Sequence, residues 1–242
     1  MGNIRREPAV TYPVLVPNRK GLARAFDADA RDVAVFASAT ETFAQRNLNT
    51  TVEGALEMFT ETVAEAREAG STVRGYVSMC FGDPWEGDVP ITQVVDVALR
   101  LLAMGCTSLS LGDTIGTGTA GHVRTLLTAL FDAGVPAEQI AMHFHDTYGQ
   151  ALANVESALT LGITEFDSSA GGIGGCPYAR SATGNLATED LVWMLRGLGL
   201  DPGINLHRLV ATSRWMAGHL GRASPSRVVA ALSPSDDRAE AP

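Results

Sequence analysis

With 242 residues, 45% of them hydrophobic and 19% charged, the chain is long enough for one large globular domain with a sizeable core. A formal charge of -9 and a single lysine, Lys20, exclude the basic field that nucleic-acid binding needs, and no apolar run approaches the roughly 18 residues of a membrane span. The opening Met1-Gly-Asn-Ile-Arg-Arg-Glu-Pro8 has no apolar segment of the secretory type, so a cytoplasmic protein is expected; three distant cysteines, Cys80, Cys106 and Cys176, read as reduced thiols rather than a disulfide framework or a tetrathiolate zinc site.

Short apolar, β-branched runs predict strands at 12–16 and 33–37, then a helix at 52–69, a strand at 73–77 and a helix at 91–104. The alternation continues with a strand at 108–111, a helix at 120–133, a strand at 140–144, a helix at 150–161 and a strand at 165–168. Gly70, Gly105, Gly134 and Gly162 each follow an apolar-periodic run, where a left-handed residue stops a helix. Helical patterns at 188–198 and 206–220 close the ordered region.

This alternation implies an α/β fold with a parallel sheet and helices outside it, of the (β/α)8 barrel type. Such a barrel closes with eight units, and six are legible; the deficit is expected before Met1, leaving residues 1–222 as an incomplete barrel domain and 223–242 as a disordered tail. An open, doubly wound sheet is the alternative reading of the same pattern. Polar residues gather just after the strands, at Pro17-Asn18, Ser38-Ala-Thr-Glu41, Ser78, Asp113-Thr114, His145-Asp146 and Ser169-Ala-Gly-Gly172, so they would converge on one face.

The sharpest local feature is Met142-His143-Phe144-His145-Asp146 at a predicted strand end. Side chains alternate along a strand, so His143 and His145 share a side and their rings can converge on one ion; taken alone, a His-x-His pair is more often a packed histidine beside a surface or hydrogen-bonding one. Imidazole with oxygen donors suits a catalytic divalent ion. Asn185 is a candidate amide donor, or a turn residue before a helix capped by Thr183 or Thr188. Gly171-Gly-Ile-Gly-Gly-Cys176-Pro-Tyr-Ala179 reads as a ligand-approaching loop carrying a thiol, and is not a dinucleotide-binding turn. Asp113 is either a substrate-side carboxylate or an Asx turn, Asp146 a candidate orienting partner for a histidine, and Arg74 an ion-pairing residue low in its strand.

Three segments, His143-Phe-His-Asp-Thr-Tyr-Gly-Gln-Ala-Leu-Ala-Asn154, Ser110-Leu-Gly-Asp-Thr-Ile-Gly116, and Gly174-Gly-Cys-Pro-Tyr-Ala179 with Gly184-Asn-Leu-Ala-Thr-Glu-Asp190, closely resemble the hydroxymethylglutaryl-CoA lyases. Tyr12-Pro-Val-Leu-Val-Pro-Asn18 and Val73-Arg-Gly-Tyr-Val-Ser78 extend the resemblance from about Tyr12 to Gly203. It implies a TIM barrel and a retro-Claisen cleavage of (S)-3-hydroxy-3-methylglutaryl-CoA to acetyl-CoA and acetoacetate, a step of leucine degradation and ketone-body metabolism. It also implies an acyl-CoA as small-molecule partner and Mg2+ or Mn2+ as cofactor, with His143, His145 and Asn185 as metal ligands. His143, Asp113 and the loop thiol Cys176 would be the catalytic residues. Homo-oligomerisation is left open.

The resemblance departs at the start, because the family's Arg-Asp-Gly-Leu-Gln motif and a second catalytic glutamate have no counterpart in this sequence. The expectation from that departure is weak metal binding and little turnover by these residues alone. Claisen-type synthases with the same barrel typically carry His-x-His-Asn-Asp, whereas this chain has His-Asp-Thr-Tyr. A related acyl-CoA lyase, such a synthase, and a non-catalytic remnant are the alternatives.

Overall fold

Strands form where the β-branched and apolar runs fall, and they follow one another across a single sheet. In the computed structural model, which describes residues 3–175 and 184–233, β1 (Val14–Leu15), β2 (Asp32–Ser38), β3 (Thr72–Ser78), β4 (Ser108–Asp113), β5 (Ile140–Phe144) and β6 (Glu165–Asp167) are all parallel and lie in sequence order. Around them run α1 (Arg19–Asp27), α2 (Glu41–Leu48), α3 (Val52–Glu68), α4 (Ile91–Ala103), α5 (Ala120–Asp132), α6 (Ala151–Leu159), α7 (Thr188–Gly197), α8 (Leu206–Leu220) and α9 (Arg227–Leu232).

Alternation splits the sheet into two chemically different faces. Val33, Val35, Val73, Val77, Leu109, Leu111, Ile140, Met142 and Phe144 form the outer face and pack with Phe59 and Val63 of α3, Leu101 of α4 and Leu126 of α5 in one core. In the β4–β5 and β5–β6 registers, Ser110 pairs with Ala141, Gly112 with His143 and His143 with Asp167, so polar side chains share the inner face.

The inner face is concave. Adjacent strands are about 4.8 Å apart, so β3 and β6 would be about 14 Å apart in a flat sheet. Yet Arg74 Nη1 of β3 lies 3.1 Å from Asp167 Oδ1 of β6. Only strong curvature brings them together, and with it the architecture is a partial (β/α)8 barrel. A doubly wound sheet would reverse its strand order at a switch point, and this order has no reversal.

The expected strand at 12–16 shrinks to Val14–Leu15, flanked by Pro13 and Pro17, which lack the N–H a ladder requires. All four predicted helix-stop glycines have positive φ, from +80° at Gly70 to +112° at Gly105. The helices α1 and α2 have mean hydropathies too polar for the apolar pattern to reveal; Asn18 caps α1 by accepting from Gly21 N at 3.0 Å.

The expected disordered tail from 223 is corrected in part: Arg227–Leu232 is a helix. Val228 and Val229 bury against Val192, Leu206 and Val210, while the Asp190 carboxylate accepts Ser226 Oγ–H and the Val228 N–H at the helix start. Its brevity within a Ser- and Pro-rich stretch hid it from pattern reading. Among the described residues no helix is long and apolar enough to cross a membrane.

Leu111 is fully buried at the centre of the outer face. Leu111→Ala is expected to cost about 2–5 kcal/mol, read as a lower urea midpoint with unchanged slope. A loss below about 1 kcal/mol would contradict this placement of the core.

Candidate active site

At the C-terminal end of β5 the chain leaves the sheet but keeps its extended direction, which places His145 on the same side as His143. The segment Gly184–Leu186 lies antiparallel beside it: Leu186 N donates to Phe144 O at 3.0 Å, Asp146 N donates to Gly184 O at 3.2 Å, and His145 bridges Asn185. These backbone bonds bring His143, His145 and Asn185 together, although about forty residues separate the histidines from the asparagine in sequence. The two imidazole centroids are 5.2 Å apart.

His145 is 5% exposed, and its Nδ1 has no hydrogen-bond partner among the described residues. Burial, reinforced by the neighbouring His143 and opposed by a hydrogen bond with the Asn185 side chain, pushes the His145 imidazole down to about 4. It is neutral at physiological pH and keeps a lone pair to donate. Asn185 Nδ2 donates to Ile173 O at 3.1 Å, which fixes the direction of the amide.

His143 is held from the opposite side. Its Nδ1 lies 3.2 Å from Asp167 Oδ2, which also accepts Ser110 Oγ–H at 2.9 Å. The other Asp167 oxygen pairs with Arg74, whose second nitrogen pairs with Glu165. Burial alone would raise Asp167, but His143, Ser110 and Arg74 outweigh it and hold the carboxylate below its ordinary range. Tyr76 meets the His143 ring edge-on at 6.3 Å; burial, then the Asp167 charge, push its phenol up. Asp167 went unseen in the sequence because only the β5–β6 register reveals its partner.

These groups open into a cleft of about 810 Å³ lined by Phe36, Tyr76, Ser78, Thr114, His143 and Asp167. Two imidazoles and one amide oxygen fit a divalent cation of intermediate hardness and leave positions for substrate oxygens. Among the described residues no group of three His, Cys, Asp or Glu side chains is arranged to hold a metal ion, so a thiolate or carboxylate cage does not form there.

Asp113 sits apart from this group. It pairs in register with Phe144, on the helix-facing side, and its Oδ2 accepts Gly118 N–H at 3.0 Å. This is the loop-holding arrangement of the two readings of Asp113. Burial, only partly offset by the amides of Gly118, Thr117 and Gly116, pushes its carboxyl up to about 6. Asp146 does not orient a histidine; its carboxylate accepts Ala151 N–H at 3.0 Å and starts α6, and Asp167 has the histidine instead. Thr188 is the first residue of α7 rather than its cap, and its hydroxyl meets Ser168.

Cys176 lies outside the described residues, but the start of its loop does not. Glu189, fully buried, accepts Gly171 N–H with both carboxylate oxygens and the Ser213 hydroxyl as well. It therefore fixes the turn at Gly171, whose φ of +64° suits glycine. In the sequence Glu189 looked like an ordinary acidic residue in a helix's first turn.

The profile of the HMGL-like family matches residues 3–216. The chain belongs to the HMGL-like family. A Pseudomonas aeruginosa relative named 3-hydroxy-3-isohexenylglutaryl-CoA/hydroxy-methylglutaryl-CoA lyase is 48% identical over 229 residues, 95% of this chain and 76% of that one. The Bacillus subtilis HMG-CoA lyase structure superposes with a TM-score of 0.92 at 44% identity, covering 96% of this chain and 77% of that one. An Acinetobacter baumannii HMG-CoA lyase, solved in complex with coenzyme A and 3-methylmalate, gives a TM-score of 0.90 at 33% identity, covering 100% and 78%. Within the HMGL-like family, then, the partial barrel and its concave face are shared over nearly the whole chain.

Two measurements test the electrostatics of this HMGL-like site. Burial pushes the Cys106 thiol up to about 12 and Cys80 still higher, so in a Cys176→Ser variant neither remaining thiol is expected to react with a disulfide reagent until the protein is denatured. Rapid native labelling would contradict that burial. Asp113 has a folded pKa of about 6 against 3.8 for the free group, so its contribution is fully present below about pH 4 and is lost as pH rises through 6. Relative to Asp113→Asn, wild type should lose about 3 kcal/mol across that window in denaturant titrations. Parallel stability curves for the two proteins would refute the shift.

Proposed function

We propose that the chain catalyses carbon–carbon cleavage of (S)-3-hydroxy-3-methylglutaryl-CoA to acetyl-CoA and acetoacetate with a divalent cation, Mg2+ or Mn2+. The observation that carries this reading is the convergence of His143, which lines the cleft, with His145 and Asn185 at the C-terminal end of β5, in a chain nearly half identical to proteins named as HMG-CoA lyases. The Acinetobacter baumannii relative, crystallised with coenzyme A and a small hydroxy-dicarboxylate, supports an acyl-CoA substrate.

His143, His145 and Asn185 would hold such an ion, which would supply Lewis acidity toward the substrate's oxygens. A base takes the proton of the tertiary hydroxyl as that oxygen's electron pair closes the ketone of acetoacetate; His143 Nε2 fills that role only when it is not bound to the ion, because its Nδ1 faces Asp167. The bond between carbons 2 and 3 breaks, and its electrons remain on carbon 2 as the acetyl-CoA enolate. Cys176 is the acid proposed to return a proton to that carbon. Asp113 keeps the β4–α5 loop in place, and the apolar cleft wall, with Phe36 and Leu15, limits water around the enolate.

A larger branch at carbon 3 is the second reading, favoured by the isohexenyl substrate in the Pseudomonas aeruginosa relative's name and by the apolar residues of this cleft. The kcat/KM ratio for the two acyl-CoAs separates them. The full-length gene product with Mg2+ or Mn2+ is expected to release acetoacetate and acetyl-CoA in equal amounts, and His143→Ala to lower kcat by about 100- to 10,000-fold. Folded protein that binds Mn2+ but forms no acetoacetate would rule the cleavage out.

A further inference from the structure

Of the side chains around the cleft, Asp167 is the one whose contacts are the most directed and whose purpose the cleavage chemistry leaves unexplained. It projects from β6 onto the concave face beside His143, its register partner on β5. One oxygen faces His143 Nδ1 and Ser110 Oγ, the other faces Arg74. A carboxylate is an acceptor only, so against an imidazole nitrogen it selects the tautomer that carries the proton there.

We propose that Asp167 is the positioning residue of His143: it accepts the Nδ1 proton and thereby turns the unprotonated Nε2 toward the cleft. Arg74 and Ser110 position Asp167 in turn, from two strands that the curvature of the sheet brings within reach. The inference deepens the lyase reading, because the nitrogen it frees is the one that a divalent ion or a hydroxyl proton would meet. Asp167 itself touches neither.

The arrangement also explains why a serine and an arginine sit inside the sheet. An ionised carboxylate on a partly buried face needs its remaining lone pairs filled, and each of the two donors fills one. A salt bridge serving stability alone would not need the third contact, to an imidazole nitrogen.

The test begins with nitrogen NMR of the metal-free protein in mildly alkaline buffer, where imidazole is neutral. Wild type is expected to show His143 protonated at Nδ1. Asp167→Asn places an amide, able to donate, against that nitrogen and should move the proton to Nε2, while lowering Mn2+ affinity by about 10- to 100-fold. Asp167→Glu should retain the Nδ1–H tautomer and recover part of the affinity. Wild-type protein with the proton on Nε2 would overturn the proposal, and so would a folded Asp167→Asn with unchanged tautomer and Mn2+ affinity. Neither reading uses substrate, so a failure of the lyase assignment would leave the tautomer result standing, and the reverse. Should Asp167→Asn fail to fold, the wild-type spectrum alone decides.

Discussion

Curvature of a parallel sheet is what every functional contact in this molecule depends on. A flat sheet would keep Arg74 and Asp167 three strands apart, and the ion pair between them could not form. Once the sheet bends, period-two alternation turns into a division of labour. The convex face buries Val35, Val77, Leu111 and Met142 against the helices, and burial there supplies the stability. The concave face holds Arg74, Ser110, His143 and Asp167, polar side chains that pair with one another across the strands.

The order of contacts along that face runs from structure to chemistry. Arg74, with Glu165 and Asp167, lies deepest and makes the ion pairs. His143 lies one step nearer the mouth, joined to that network through Nδ1. His145 lies beyond the end of β5, is joined to Asn185, and is kept neutral by its burial. Charge is thus concentrated at the base and lone pairs at the mouth. For the cation proposed above, His145 and Asn185 would be neutral donors, with the anionic carboxylate of Asp167 behind His143.

How much of this could be read from the residues depends on the distance over which each contact acts. The strands at 33–37, 73–77 and 140–144 were legible because apolar alternation is local, and His143 and His145 were legible because two residues of strand separate them. Asn185 was found through resemblance as much as through chemistry. Asp167 was not found at all: twenty-four residues and one helix intervene before the sheet register sets it beside His143. Asp146 drew attention instead through sequence adjacency, but its side chain is needed at the start of α6. The helix Arg227–Leu232 escaped for a related reason, since its first turn is stabilised by Asp190, thirty-six residues upstream of Ser226.

The distribution of unpaired polar atoms shows where stability has been given up. Among the described residues, buried side-chain atoms without a partner occur at Ser71, Asp113, Thr117, His145, Thr147 and Asn154. All but Ser71 belong to the ends of β4 and β5, the loops that follow them, or α6. Each such atom costs about 1–3 kcal/mol relative to a paired one. Random imperfection would scatter these costs over the molecule; here they collect where β4 and β5 end and their loops meet α6, the region that also holds the neutral His145 and the raised carboxyl of Asp113. Glu189 shows the opposite treatment a few residues away, with its carboxylate saturated by Gly171 and Ser213 so that the glycine turn has one conformation. The fold therefore saturates the carboxylate that holds the glycine turn, while its unpaired side-chain atoms gather at the ends of β4 and β5, in the loops that follow them and in α6, with His145 the one that belongs to the candidate site.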